Sequence, residues 1–200
     1  MSEQMKQDNG INYLIYVNGQ NPVDESWEKM IAPHLVTCTN HFEGDNTEYV
    51  LEKQTYEQFE KLRAALLEEG IRIELDSATR TIAKQQAIID EFTAKFGAEY
   101  ARKYAARPGY SEHHTGLALD TALVIDGKYI CDNDEMMAQK EINEVIWSKL
   151  ADYGFILRYP KNREATTGIT YEPWHYRYVG VEAAKYIMAN NITLEEFCAE

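Results

Sequence analysis

The chain has 200 residues and a formal net charge of −13, from 20 basic and 33 acidic side chains. That length suits one domain with a sizeable buried core, and the 14 Tyr and 3 Trp residues argue against a disordered chain. A surface of this charge repels phosphate backbones, which argues against nucleic acid as a partner.

The sequence has no recognisable pattern that would direct the protein to a membrane or out of the cell. No stretch approaches the ~20 consecutive apolar residues of a membrane span. Residues 1–10 are polar and lack the apolar segment of a signal peptide, so we expect a cytoplasmic protein. The alternative is an extracytoplasmic or membrane-anchored protein whose signal or anchor preceded Met1. Nothing in the sequence points to a particular oligomeric state.

The three cysteines, Cys38, Cys131 and Cys198, are odd in number and far apart. They form no CxxC pair, so we expect neither a disulfide framework nor a thiolate metal site. Each is expected to be a free, partly buried thiol. Cys38 does not stand at a predicted helix start, which would activate it as a nucleophile.

The first half of the chain mixes strand and helix patterns. Residues 1–10 are expected to form a flexible arm ahead of a single domain, residues 11–200. Apolar residues recur at helical spacing over 48–69, and Gly70 follows as a stop signal. The predicted elements are a strand over 13–17, a turn over 18–22, a helix from Asp24 to about Met30, a helix over 48–69, a strand over 71–75, a helix from Ser77 or Thr79 to about Phe96, and a short helix over 98–106.

The second half continues the same mixture. Its predicted elements are a strand over 117–125, a helix over 132–153, strands over 155–159 and 174–179, and helices over 181–187 and 194–199, the last capped by Thr193. The order shows no regular βαβ rhythm. It therefore favours an α+β fold with a central, mainly antiparallel sheet flanked by helices.

The segment from Ser111 to Asp120 places an imidazole, small residues and a carboxylate close together. On a helix, His113 and Asp120 would lie two turns apart, too far to share one ion. With Gly116 between them, the segment instead predicts a loop that enters a strand and curls His113 back toward Asp120. Gly116 and Ala118 are small and are expected to let the backbone approach an ion closely. A His and an Asp at this spacing also occur by chance.

A second segment, residues 172–177, supplies what the first one lacks. His175 would complete a set of two histidines and one carboxylate, which suits Zn²⁺ with a fourth position open for water. Glu172, three residues earlier, would then be free to act as general base toward that water. The alternative is a surface carboxylate beside a half-buried core histidine.

Arg80 is a further candidate, at the point where a predicted strand gives way to a helix. A guanidinium can bind a carboxylate through two hydrogen bonds or stabilise a developing oxyanion. The alternative is an arginine on a solvated helix face. His114 is expected to point away from His113 on an extended segment, while His34 and His41 have no companion carboxylate at a recognisable spacing.

Together the two segments resemble a known enzyme family. The patterns S-x-H-x-x-G-x-A-x-D at 111–120 and E-x-W-H-x-R at 172–177 are similar to those of the zinc D-alanyl-D-alanine peptidases of the VanY, VanXY and VanX type. Residues 153–160, 167–169 and 172–180 are especially similar to the VanY and VanXY branch. The resemblance covers roughly residues 12–198, and it implies an α+β domain with zinc in a cleft on an antiparallel sheet.

The resemblance also implies roles for individual residues. It implies that His113, Asp120 and His175 bind zinc and that Glu172 and Arg80 are catalytic. The substrate-binding residues that it implies are Arg80, Ser111, Gln85 and Trp174. The family usually has Gly-Tyr before the arginine, whereas this chain has Ala78-Thr79, so substrate preference is expected to depart from the family's.

The resemblance implies a zinc carboxypeptidase that removes the terminal D-alanine of peptidoglycan precursors, with D-Ala-D-Ala dipeptidase activity as in VanXY proteins. Such an enzyme depletes the precursors that glycopeptide antibiotics bind. The enzymatic alternatives are an L,D-carboxypeptidase or a cell-wall endopeptidase acting on stem peptides. The non-enzymatic alternative is a binding module that keeps the zinc fold, and an intact Glu172 argues against it.

Overall fold

The structure is a computed structural model that describes residues 10–199, except for the side chains of residues 103 and 104. Its strands are β1 (Leu35–Cys38), β2 (Tyr49–Glu52), β3 (Arg72–Ser77), β4 (Ala118–Ile125), β5 (Lys128–Ile130), β6 (Phe155–Tyr159) and β7 (Glu172–Tyr178). Its α-helices are α1 (Glu25–Ile31), α2 (Lys53–Glu68), α3 (Ile82–Phe96), α4 (Ala98–Tyr104), α5 (Asn133–Ala138), α6 (Lys140–Leu150), α7 (Glu164–Thr167), α8 (Val181–Asn190) and α9 (Leu194–Ala199). Short 3₁₀ turns occupy Ala32–His34, Glu112–Thr115 and Ala151–Tyr153.

The strands form two antiparallel sheets. β1 and β2 pair into a small hairpin-like sheet, while the main sheet has the order β3-β4-β7-β6, with β5 paired to β4. Helices flank this sheet, so the predicted α+β fold is confirmed. Among residues 10–199, no helix has both the length and the apolar character needed to cross a membrane.

The main core lies on one face of the large sheet. Apolar side chains of α2 pack there against inward residues of the strands: Phe59, Leu62, Leu66, Ile73, Leu75, Leu119, Leu123, Tyr176 and Tyr178. Alternation along β4 sends Leu119 and Leu123 into this core and turns Asp120 to the opposite face. A smaller cluster packs α8 and α9 near β6 and includes Ile156, Ala184, Ile187 and Leu194.

Several predicted elements are confirmed. The strand over 155–159 is found at its predicted bounds, and the strand over 117–125 starts one residue later, at Ala118. Asp24 caps α1 by accepting a hydrogen bond from the amide of Ser26 at 2.9 Å. The Thr193 hydroxyl accepts one from the amide of Glu196 at 3.2 Å, and the Glu196 carboxylate accepts one from the amide of Thr193 at 2.7 Å. That reciprocal pair is a capping box.

The helix predicted over 48–69 is wrong at its start. Tyr49–Glu52 form β2 instead, since they pair with β1, a strand that the sequence analysis missed. The helix begins at Lys53, where the Glu52 carboxylate accepts hydrogen bonds from the amide and hydroxyl of Thr55 at 2.8 and 3.0 Å. Pairing with a distant segment therefore overrides the local helical spacing.

The strand predicted over residues 13–17 is also wrong. These residues form a turn and irregular backbone. The guanidinium of Arg177, on β7, donates hydrogen bonds to the carbonyls of Tyr13 and Ile15. A side chain thus satisfies the backbone groups that a neighbouring strand would otherwise pair.

Other boundaries move for local reasons. The helix expected to open at Ser77 or Thr79 begins at Ile82, because Thr81 provides the N-cap through its hydroxyl. The helix over 132–153 is interrupted at Gln139 and ends in a 3₁₀ turn. β7 begins two residues before the predicted start, at Glu172.

Apart from Gly10, the arm predicted over residues 1–10 lies outside the described residues, and the single domain over 11–200 stays a prediction.

Gly116 has a different role from the one expected. It follows the 3₁₀ turn with φ of +76°, a conformation that L side chains rarely adopt. A Cβ there would lie 3.0 Å from Cδ2 of Leu35 and 3.4 Å from Cγ1 of Ile31. The glycine therefore makes room for core side chains, not for an ion.

Replacing Gly116 by alanine is expected to destabilise the protein. The left-handed backbone alone costs about 1–2 kcal/mol, and the contact with Leu35 adds to it. Gly127→Ala is the matched control, because Gly127 has nearly the same φ, +74°, with open space around it. Chemical unfolding should show a larger loss for Gly116→Ala than for Gly127→Ala. Equal losses would mean that the contact with Leu35 is unimportant.

The thiols are expected to differ in reactivity. Cys38 is buried and burial raises its pKa to about 12, whereas Cys131 and Cys198 are exposed. At about pH 8, a thiol reagent should label Cys131 in the native protein and leave Cys38 unlabelled until the chain is unfolded. Peptide mass spectrometry measures both sites. Native labelling of Cys38 as fast as Cys131 would contradict the burial.

Candidate active site

Three side chains that could hold a metal ion meet on the sheet face opposite the main core. They are His113, Asp120 and His175, and their ligand atoms all lie within 4.8 Å of one another. His113 is carried by the 3₁₀ turn before β4, while Asp120 and His175 face each other as register partners on β4 and β7. These are the three residues that the sequence motifs predict as ligands.

Hydrogen bonding sets the tautomer of His113. Its Nδ1 lies 2.8 Å from the carbonyl oxygen of Ala78, which can only accept, so Nδ1 carries the hydrogen. Nε2 then presents its lone pair, 3.2 Å from Oδ2 of Asp120. Residue 78 thus acts through its backbone, which is why alanine can stand where the family usually has glycine.

His175 presents the other ring nitrogen. Its Nε2 lies 3.3 Å from Oε2 of Glu112, and its Nδ1 lies 2.9 Å from Oδ1 of Asp120. That Oδ1 atom is buried and has no hydrogen bond of acceptable geometry. Two nitrogen lone pairs and a carboxylate therefore converge on one point, and such acceptors repel one another unless a cation lies between them. The N₂O donor set is one that zinc accepts.

The charges of the cluster are strongly perturbed. Burial, reinforced by the charge of Arg80, lowers the pKa of His113 to about 4, which keeps this imidazole neutral as metal binding requires. Burial would lower the pKa of His175 too, but the carboxylate of Asp120 outweighs it and raises the value to about 9. Despite its own burial, Asp120 is held ionised by the two histidines, which keep its pKa well below its usual range.

Glu172 lies beside this cluster, with Oε2 3.7 Å from Nδ1 of His175. On a regular strand, residues three apart point to opposite faces. The pairing of β6 with β7 is irregular at this place: Leu157 faces Tyr176, but Tyr159 faces Glu172. β7 thus carries extra residues there, and this bulge brings Glu172 and His175 to the same site.

The environment of Glu172 favours proton exchange near neutral pH. Burial raises its pKa to about 7; the charge of Asp120 raises it further, while His175 and Arg80 act in the opposite direction. Its side chain is 27% exposed, so a bound molecule can reach it. A carboxylate of this kind can accept a proton and return it.

Arg80 lies on the loop between β3 and α3. Its amide donates to the carbonyl of His113 at 3.1 Å, which ties the loop to the turn that carries the histidine. Burial lowers the pKa of Arg80, and the charges of Asp120 and Glu172 oppose that shift. Among residues 10–199, no carboxylate pairs with this guanidinium within 4.0 Å, and its Nε is buried without a hydrogen bond. It is available to an anionic group of a ligand.

Three further residues were predicted to bind substrate, and the structure shows the surroundings of each. Ser111 is buried at the start of the 3₁₀ turn, and Trp174 packs against the main core. Gln85, on α3, donates its amide to the carbonyl of Ala106 at 2.9 Å, and its buried oxygen has no hydrogen-bond partner. The substrate-binding roles of these three residues stay predictions.

His114 is turned away from the cluster. Its Nε2 accepts a hydrogen bond from the amide of Gly109 at 3.1 Å, and its Nδ1 donates to the carbonyl of Arg80 at 2.7 Å. The reason is the 3₁₀ turn and not the extended backbone that the sequence suggested.

The sequence analysis missed two neighbours of His175. The ring of Tyr159 lies 4.7 Å from that of His175, centroid to centroid, and Glu112 is buried against His175, Arg158 and Arg177. The arginines hold the pKa of Glu112 well below its usual range although burial opposes them. The sequence did contain a signal for a buried carboxylate such as Glu112, because Arg158 and Arg177 lie inside predicted strands. Buried cations need a counter-ion.

Comparison with known proteins gives consistent results. The model of the VanY family, described as D-alanyl-D-alanine carboxypeptidase, matches residues 48–181. The chain is 36% identical to the bifunctional D-Ala-D-Ala dipeptidase and D-Ala-D-Ala carboxypeptidase VanXYC of Enterococcus gallinarum, over 94% of each chain.

Two solved structures are similar over nearly their whole length. One is the LdcB LD-carboxypeptidase, with a TM-score of 0.82 and 30% identity, covering 100% of this chain and 96% of that one. The other is a mutant of the vancomycin-resistance D,D-pentapeptidase VanY in complex with Zn(II), with a TM-score of 0.72 and 29% identity, covering 94% of this chain and 99% of that one.

Proposed function

The chain belongs to the VanY family of D-alanyl-D-alanine carboxypeptidases, and we propose that it is a zinc-dependent hydrolase that removes the terminal D-alanine from peptidoglycan precursors. The observation that carries this proposal is the meeting of His113, Asp120 and His175 beside Glu172. Its similarity to VanXYC over 94% of each chain supports D-Ala-D-Ala dipeptidase activity as well.

In this proposal the three clustered side chains hold the zinc ion. His113 would offer Nε2, His175 would offer Nδ1 and Asp120 would offer its carboxylate, three ligands that a catalytic zinc site combines with water or substrate. When bound, zinc polarises the scissile carbonyl and lowers the pKa of water toward about 7.

Glu172 is the proposed general base and acid. Its carboxylate takes a proton from the water whose oxygen attacks the carbonyl carbon of the scissile amide. As the C–N bond breaks, the same group gives that proton to the amine of the departing D-alanine. A pKa near 7 suits both transfers.

Arg80 is the proposed anion-binding residue. A carboxypeptidase substrate ends in a carboxylate, and an unpaired guanidinium binds such a group through two hydrogen bonds. The same side chain could instead stabilise the oxyanion that forms during attack. The two roles differ kinetically, because the first affects substrate and transition state alike.

The similarity to LdcB favours a second candidate, L,D-carboxypeptidase activity on tetrapeptide stems, since that structure covers the whole chain. Ala78 and Thr79, which replace the family's usual Gly-Tyr, lie beside the anion-binding residue. A release assay with zinc-loaded protein should separate the candidates. D-Alanine release from the D-Ala-D-Ala dipeptide and the pentapeptide is expected. Release from the tetrapeptide alone would assign the L,D activity, and release from none would refute a carboxypeptidase.

Glu172→Ala is expected to keep zinc and lose turnover. Removing a general base costs roughly 10²–10⁴ in rate, whereas the three zinc ligands remain in place. Zinc content by mass spectrometry and kcat on the preferred peptide measure the two effects. Glu164→Ala, an exposed acid on α7, is the matched control and should behave as wild type. A Glu172→Ala rate within ~10-fold of wild type would contradict the assignment.

A further inference from the structure

We infer that Glu112 is a positioning residue of the metal centre, which fixes the tautomer and orientation of His175. This inference rests on the proposed function, in which His175 binds zinc through Nδ1. It concerns a residue that lies between two motif positions and that none of the proposed catalytic steps uses.

The first observation is the contact itself. Glu112 is 2% exposed, and its Oε2 lies 3.3 Å from Nε2 of His175. An ionised carboxylate can only accept hydrogen bonds, so Nε2 carries the hydrogen and Nδ1 keeps its lone pair. Nδ1 is the nitrogen that faces Asp120. The bond therefore selects the nitrogen that the metal centre needs.

The second observation is how Glu112 is held. Its Oε1 accepts hydrogen bonds from Nε of Arg158 at 2.5 Å and from Nη1 of Arg177 at 2.8 Å, and both arginines are fully buried. Arg158 is itself held by two bonds to Glu195 on α9, at 2.8 and 2.6 Å. Glu112 is thus kept charged and immobile beneath His175.

The two oxygens of the Glu112 carboxylate have different partners. This difference distinguishes a positioning residue from a simple counter-ion of the arginines. Both arginines bind Oε1, while Oε2 is directed to His175. A counter-ion alone would be expected to offer both oxygens to a guanidinium fork. His113 shows the same arrangement with another acceptor, the carbonyl of Ala78. Each imidazole is therefore oriented by its own partner, and the two present different nitrogens.

Glu112→Gln tests the inference with little change in shape. The two arginines can only donate hydrogen bonds, so they will bind the oxygen of the new side-chain amide. The NH₂ group of that amide then faces Nε2 of His175. Nε2 must then accept, which moves the ring hydrogen to Nδ1, where zinc should bind. We expect zinc affinity to fall by roughly 10–100-fold, measured by competition with a chromophoric chelator. In the zinc-loaded wild type, NMR should detect a slowly exchanging Nε2–H proton of His175, and the variant should lose it.

Glu195→Gln is the matched control. It removes the negative charge of a carboxylate that pairs with Arg158 but touches neither histidine. It should lower thermal stability and leave zinc affinity within ~3-fold of wild type. An equal loss of zinc affinity in both variants would assign the effect to the ion network and overturn the inference. If Glu112→Gln does not fold, Glu112→Asp keeps the charge but shortens the reach, and it should also weaken zinc binding while Arg158 stays neutralised.

The outcomes separate this inference from the proposed function. Wild-type protein should bind one zinc ion, and His175→Ala should lose it. If the wild type binds no zinc, the proposed function fails and this inference fails with it. If wild type and His175→Ala behave as expected but Glu112→Gln binds zinc within ~3-fold of wild type and keeps the Nε2–H signal, only the role of Glu112 is refuted.

Discussion

The burial of two arginines next to one carboxylate is the constraint on which this structure depends. Arg158 and Arg177 are fully buried on neighbouring strands, and both donate to Glu112, while Glu195 supplies a second carboxylate to Arg158. Removing one partner of such a cluster typically costs about 3–5 kcal/mol, because an unpaired charge is left inside. The cluster therefore fixes the 3₁₀ turn that carries His113 against β6 and β7. Through Arg177 it also orders the backbone near Tyr13, and through Arg158 it fixes α9.

A second constraint acts at the centre of the site. Asp120 lies half-buried between two imidazole nitrogens that both present lone pairs, and only a cation makes that arrangement favourable. The carboxylate of Asp120 accordingly outweighs the effect of burial and raises the pKa of His175. The same low-dielectric surroundings raise the pKa of Glu172. One buried site thus assembles a cation-binding set and a carboxylate suited to proton transfer.

Local patterns predicted much of the fold and failed where distant groups intervene. The strand over 155–159 was predicted at its bounds, because its apolar run and following proline are local signals. The helix predicted over 48–69 was wrong at its start, since β2 exists only through pairing with β1. The strand expected over 13–17 was wrong because a side chain from β7 satisfies that backbone. Neither partner is visible within a window of neighbouring residues.

For the site, the sequence by itself predicted the three side chains that the structure brings together as a possible metal-binding group, and the glutamate proposed as the base. Two histidines, an aspartate and a glutamate in two short motifs are typical of a hydrolytic metal site, and the identity of each residue is read directly from the sequence. Tertiary structure alone decided which nitrogen each histidine presents. That choice depends on acceptors that folding brings close: the carbonyl of Ala78 for His113 and the carboxylate of Glu112 for His175. The irregular pairing that turns Glu172 toward His175 is likewise a property of two strands together.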